Sequence, residues 1–110
     1  MNIILSALSL ALCLPAAAAV AADASHVTLT LDQHRFAPDA LTVPAGRKVR
    51  ITLINRDGAL EEFDSTDLKV EQVVTPKGRI TFSVGPLAPG EYAFMGEFHA
   101  ATAKGRLTAR

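Results

Sequence analysis

The sequence predicts an all-β domain, a single β-sandwich of seven or eight short strands, on three observations. Segment after segment alternates apolar and polar residues with period two, as half-buried strands do. Turn clusters rich in Pro, Gly, Asn and Asp interrupt these segments about every ten residues. No stretch keeps apolar residues at helical spacing for more than about one turn.

Val27-Thr-Leu-Thr-Leu31 puts Val27, Leu29 and Leu31 on one face of a first strand. Phe36 to Val43 reads as a short turn leading into a second strand, and Pro44-Ala-Gly46 ends it. Val49-Arg-Ile-Thr-Leu-Ile54 repeats the alternation and stops at the turn cluster Asn55-Arg-Asp-Gly58. Ala59 to Pro76 is richer in acids and less periodic, yet Val70 to Val74 can pair as a strand. Arg79 to Val84 alternates clearly, Gly85 to Gly90 is a loop, and Tyr92 to Met95 and Arg106 to Ala109 complete the set. Internal repeats and an interdomain linker are both lacking.

Residues 1–22 carry no charged side chain. An apolar run from Ile3 to Leu14 gives way there to the small-residue tract Ala16 to Ala22, the pattern of a secretory signal cleaved after Ala22. About 12 apolar residues are too few to span a bilayer, which takes roughly 20. The single cysteine, Cys13, falls inside this signal. Residues 23–110 are then one exported domain, free of disulfides and with no membrane insertion after cleavage. The 11 basic and 11 acidic residues balance to zero net charge, so no basic face points to nucleic acid or anionic lipid.

The chemistry concentrates in Tyr92-Ala-Phe-Met-Gly-Glu-Phe-His99 and in the acids that follow Leu60. His99 ends an apolar strand, and a neutral imidazole is a metal donor. Glu97 and Met95 share its parity along an extended chain, so all three can face one pocket. Met95 offers a thioether or simply fills core. Glu61 and Glu62 precede Phe63, a core anchor; alternation sends one acid inward and the other outward, and the sequence leaves open which. Asp64 is a weaker candidate, and His26, at the start of the domain, reads as exposed and unrelated. Without a Gly-x-Ser-x-Gly elbow, a cysteine nucleophile or a Trp platform for sugars, the sequence gives no support to a hydrolase and names no catalytic residues.

Several blocks together resemble the cupredoxin superfamily: Phe36-x-Pro38, Leu41-x-Val43-x-Ala45-Gly46, Val49-x-Ile51-x-Leu53-x-Asn55, and Leu87-x-Pro89-Gly90-x-Tyr92-x-Phe94 leading to His99. The resemblance covers essentially all of residues 23–110 and implies a Greek-key sandwich. Asn55-x-Asp57, Glu61-Glu-Phe-Asp-Ser65 and Gly96-Glu-Phe-His99-x-x-Thr102-Ala103-x-Gly105 are similar to the small thiolate-free cupredoxin-domain proteins of bacterial ferrous iron uptake systems. That resemblance puts Glu61 where the usual first ligand histidine sits, Gly96 where the copper thiolate sits and His99 near the second histidine; Ala103 or Lys104 stands where an axial methionine would be. It also adds His34 to the candidates.

What it implies is a periplasmic protein that binds a transition metal, copper first and iron as the alternative, through His99, Glu97, Glu61, His34, Glu62 and Met95. Its partners would be an iron permease and a periplasmic metal-binding protein, and any enzymatic role would be metal-dependent oxidation of ferrous iron. The alternative is a periplasmic copper carrier or electron-transfer protein.

Overall fold

The computed structural model describes Ala11 and residues 25–110. Apart from Ala11, the segment read as an export signal, with Cys13 and the cleavage position after Ala22, lies outside the described residues. The described residues form nine strands: β1 (His26–Asp32), β2 (Arg35–Ala37), β3 (Ala40–Val43), β4 (Val49–Asn55), β5 (Glu61–Ser65), β6 (Val70–Val74), β7 (Arg79–Val84), β8 (Gly90–Met95) and β9 (Lys104–Ala109). They build two sheets, in the orders β2-β1-β4-β7 and β3-β9-β8-β5-β6. Pairing is antiparallel except for β1 with β4 and β3 with β9. The Greek-key sandwich is as expected. The count exceeds seven or eight because the three-residue β2 was read as part of a turn and the acid-rich β5 had too little alternation to declare itself.

The period-two reading explains the interior. Leu29 and Leu31 of β1, Val49, Ile51 and Leu53 of β4, and Phe63 of β5 are all fully buried. Burying each such side chain stabilises the fold by about 1.5–3 kcal/mol relative to leaving it in water. The centre is aromatic. Phe63 stacks on Phe94 at 4.8 Å between centroids, and Phe36 meets Phe94 edge-on at 5.0 Å.

Because β1 and β4 run parallel and β5 starts where β8 ends, four segments meet at one end of the sandwich: the β1–β2 turn, the loop after β4, the start of β5 and the β8–β9 loop. That last loop contains the only helical turn among the described residues, a 3-10 turn over Glu97–His99. Among the described residues no helix is long and apolar enough to cross a membrane.

Gly105 is required by packing. A Cβ there would lie 2.2 Å from Phe94 Cζ and 2.9 Å from the carbonyl oxygen of Asp39. The Phe94 ring is hemmed in by Phe36 and Phe63 and cannot swing clear. Gly105→Ala should therefore destabilise the protein by about 1–3 kcal/mol, as overpacking does. A urea midpoint unchanged by the substitution would contradict this account of the core.

Candidate metal centre

At the shared end of the sandwich a carboxylate is buried between two imidazoles. Phe63 points into the core, and Glu61, two residues earlier on β5, points the same way; its side chain is 0% exposed. His34 Nδ1 lies 2.7 Å from Glu61 Oε1, and His99 Nδ1 lies 3.0 Å from Glu61 Oε2. The two rings stack with centroids 3.5 Å apart and planes 15° from parallel. They keep 41% and 29% of their side-chain surface in solvent, so the carboxylate is inside and the imidazoles form its lid. An ionised carboxylate only accepts hydrogen bonds, so in this state each Nδ1 carries the proton and donates it to Glu61.

Each histidine is held by its own local structure. Gln33 and His34 form the two-residue loop between β1 and β2, both in the left-handed region, with φ of 52° and 58°. Such hairpin loops usually need Gly or Asn. Here Asp57 supplies the stabilisation from outside the hairpin: its carboxylate accepts the backbone N–H of Gln33 at 2.7 Å and of His34 at 3.0 Å. Asp57 is itself fixed by its backbone N–H to Asn55 Oδ1 at 2.9 Å, and Thr102 Oγ1 donates to the His34 carbonyl at 2.7 Å. Partial burial pushes the Asp57 carboxyl up, but the backbone N–H groups of His34 and Gln33 lead the influences that outweigh it and hold it below the usual value. His99 ends the 3-10 turn, and the loop behind it is closed by Gly96 N–H to the Ala103 carbonyl at 2.9 Å and Ala103 N–H to the His99 carbonyl at 2.8 Å.

Gly96 borders the site. A Cβ built there would come 3.9 Å from Glu61 Oε2, 3.1 Å from the Glu62 carbonyl oxygen and 3.0 Å from the Ala103 Cβ. Where the resemblance places a thiolate this chain has Gly96, next to the buried Ala103 methyl and the Glu61 carboxylate.

The other candidates lie elsewhere. Glu97 does not face the same pocket as His99: the chain turns into a 3-10 helix at Glu97, which breaks strand parity. Glu97 gathers instead with Glu62 and Asp64, a carboxylate oxygen of each within 4.8 Å of the others. Glu62 leaves β5 on the face opposite Glu61, as alternation requires, and yet is only 2% exposed, beside the 3-10 turn that packs against β5. Met95 follows the inward-pointing Phe94, so it stands on the outer face opposite Asp64, 41% exposed, and does not join the two histidines. His26 contacts Thr52 Oγ1 at 2.9 Å at the start of β1, roughly 20 Å of strand away from His34. Asp57 and Thr102 are positioning residues, which act on backbone groups and so do not declare themselves by residue type. A two-residue hairpin loop without Gly or Asn was the available signal that something outside it must hold it.

A model of the cupredoxin-like domain matches residues 2–109. The chain belongs to the cupredoxin-like domain family. Among curated proteins, it is 40% identical over 80 residues to an uncharacterized protein of Rickettsia prowazekii, an alignment covering 73% of this chain and 64% of that relative. The chain therefore spans less than two-thirds of the relative's length. Among solved structures, auracyanin from Roseiflexus castenholzii is 16% identical with a TM-score of 0.66, covering 78% of this chain and 97% of that one. A purple cupredoxin from Nitrosopumilus maritimus is 17% identical with a TM-score of 0.59, covering 76% and 99%. The metal-binding domain of the Streptococcus pneumoniae Cu(I)-exporting P-type ATPase CopA, solved with Cu(I), is 13% identical with a TM-score of 0.66, covering 77% and 84%. At these identities the likeness is one of fold.

The cupredoxin-like fold is that of copper-binding and electron-transfer proteins, and the donor set fits a transition metal. Two nitrogens and a carboxylate converge, with neighbouring donors 2.7 and 3.0 Å apart. That is about the spacing of adjacent ligands around an ion with bonds of roughly 2.0–2.1 Å.

The carboxyl of Glu62 is pushed above its ordinary value, first by burial, then by the charges of Glu97, Asp64 and Glu71 and a hydrogen bond with Glu71. A raised value means the folded protein holds that proton more tightly than the unfolded chain. The group costs nothing below the unfolded value, and stability falls as pH rises from there through the folded value. With a chelator present, Glu62→Gln should thus stabilise the protein at pH 7 by about 1–3 kcal/mol, the scale of relieving an unsatisfied buried group, and hardly at all at pH 4. Equal gains at both pH values in denaturant titrations would contradict this.

Proposed function

We propose that the protein is a periplasmic metal-binding cupredoxin-like protein, an accessory of ferrous iron uptake whose His34–Glu61–His99 site holds copper. The observation that carries the reading is the Glu61 carboxylate, fully buried and clasped by two imidazoles beside Gly96. Imidazole and carboxylate suit Cu(II) and iron, whereas the soft thiolate and thioether donors favoured by Cu(I) are missing from the cluster. The role in iron uptake, with an iron permease and a periplasmic metal-binding protein as partners, rests on the sequence resemblance, and export rests on the apolar, uncharged N-terminus.

Bound copper would supply a one-electron couple able to take an electron from ferrous iron. The chain's own part is to keep three donors converged, to leave the ring edges of His34 and His99 open to solvent, and to keep water from the carboxylate of Glu61. A copper carrier is the weaker reading because Met95, the one thioether of residues 23–110, stands on the outer face away from the histidines.

Copper titration of the protein should give Cu(II) binding without the intense visible band of a copper-thiolate centre, since residues 23–110 contain no cysteine. His99→Ala and His34→Ala should each weaken Cu(II) at least tenfold, about 1.4 kcal/mol. Affinity should fall between pH 7 and pH 5, because an imidazole binds metal only when deprotonated, and His99→Ala should flatten that slope. His26→Ala should change neither. Equal affinities for the parent and both site variants would dismiss this centre.

Intact-mass analysis of protein recovered from the periplasm should show a chain starting near Asp23, and metal analysis of the same sample should find copper. Full-length protein in the membrane fraction would count against export.

A further inference from the structure

The carboxylates of Glu62, Asp64 and Glu97 meet on the opposite face of β5 from the histidines. Acids grouped on a surface are ordinarily just solvated. What separates this group is Glu62: the residue is 2% exposed, and its Oε1 has no hydrogen-bond partner. A buried carboxylate oxygen without a donor is costly, and nearby carboxylates make it more so. Asp64 is half-buried and Glu97 exposed, so the group opens to solvent on one side only. Glu71, paired with Asp64 across β5 and β6, adds a fourth acid at the rim.

We propose that Glu62, Asp64 and Glu97 form a second cation site, one that takes a hard, oxygen-preferring ion. The donors are all oxygens, without the nitrogen or sulfur that would favour copper or zinc. The oxygens lie within 4.8 Å of one another, and ligands across a shell of 2.3–2.6 Å bonds can be up to about 5 Å apart. The ion would give Glu62 Oε1 the partner it lacks and cancel the repulsion among the three acids. Open coordination positions toward solvent are left for water. The site stands apart from the copper reading: it shares no ligand with His34, Glu61 and His99, although it is built on the same strand and the same 3-10 turn.

Mn(II) serves as the probe, with the free ion counted by electron paramagnetic resonance in the full protein. The parent should bind one equivalent, and His34→Ala/His99→Ala should bind it with unchanged affinity. Asp64→Asn/Glu97→Gln should weaken it at least tenfold while still holding Cu(II) as the parent does, which shows that this variant is folded and its histidine centre intact. Glu97→Gln alone, at an exposed position, serves if the double variant does not fold, and should itself weaken Mn(II) at least threefold. Three results would each overturn the site: no Mn(II) bound by the parent, binding unaffected by the acid substitutions, or binding abolished by the histidine substitutions.

Discussion

One buried carboxyl group organises the functional end of this molecule. Glu61 is a carboxylate with no exposure, and removing such a group from water costs several kcal/mol unless partners replace the water. Among the described residues the imidazoles of His34 and His99 bond to it from solvent's side, and both arrive from far along the chain. The rest of the loop structure follows from bringing them there. Asp57 stabilises a left-handed hairpin loop that lacks Gly or Asn, Thr102 ties that loop to the segment behind His99, and the Gly96–Ala103 closure fixes the 3-10 turn. A Cβ at Gly96 would press on the Ala103 methyl at 3.0 Å and the Glu62 carbonyl oxygen at 3.1 Å, so glycine suits this closure.

The period-two geometry of β5 then separates two kinds of chemistry by one residue. Glu61 points into the end of the sandwich toward nitrogen donors, and Glu62 points to the outer face toward oxygen donors. The β8–β9 loop mirrors the division: Glu97 begins the 3-10 turn on the acid side, and His99 ends it on the imidazole side. β5 and the 3-10 turn each contribute to both groups, β5 giving Glu61 to one and Glu62 and Asp64 to the other, and His34 joins from the β1–β2 turn. A loop that had stayed extended would have put Glu97 and His99 on one side and dissolved the distinction.

Most of the sandwich was legible because strands declare themselves by alternation, strict in β1 and β7 and kept in β4 as far as Leu53. β2 was too short to show a period, and β5 carries acids at both Glu61 and Glu62, so its pattern hides the strand that positions the site. At the site, His34, Glu61 and His99 could be named from residue type and resemblance, but their grouping could not be read from spacing, since 27 and 38 residues separate Glu61 from its two partners. The misplacement of Glu97 has a definite cause. Parity arguments assume an extended chain, and a single helical turn between Gly96 and Ala100 is enough to rotate neighbours to different faces. Asp57 went unrecognised because its action is on backbone N–H groups, which leave no trace in residue type.

The carboxylate of Glu61 also sets what chemistry the proposed centre would support. A thiolate is soft and shares its charge with the metal; a carboxylate is hard and holds its charge, which favours the more highly charged oxidation state of copper or iron. Burial strengthens the effect, because a charge screened from water interacts with a neighbouring ion far more than the same charge at the surface. Glu61 is wholly buried, whereas each imidazole is partly open, so the anionic donor is the one the fold shields most closely. In the proposed copper centre the best-protected position would thus hold the donor that most stabilises an oxidised ion, while the imidazoles of His34 and His99 remain partly open to solvent. An arrangement that served Cu(I) transfer would invert this order, with thioethers exposed at the rim and no buried carboxylate behind them; the one thioether of residues 23–110, Met95, is on the other face.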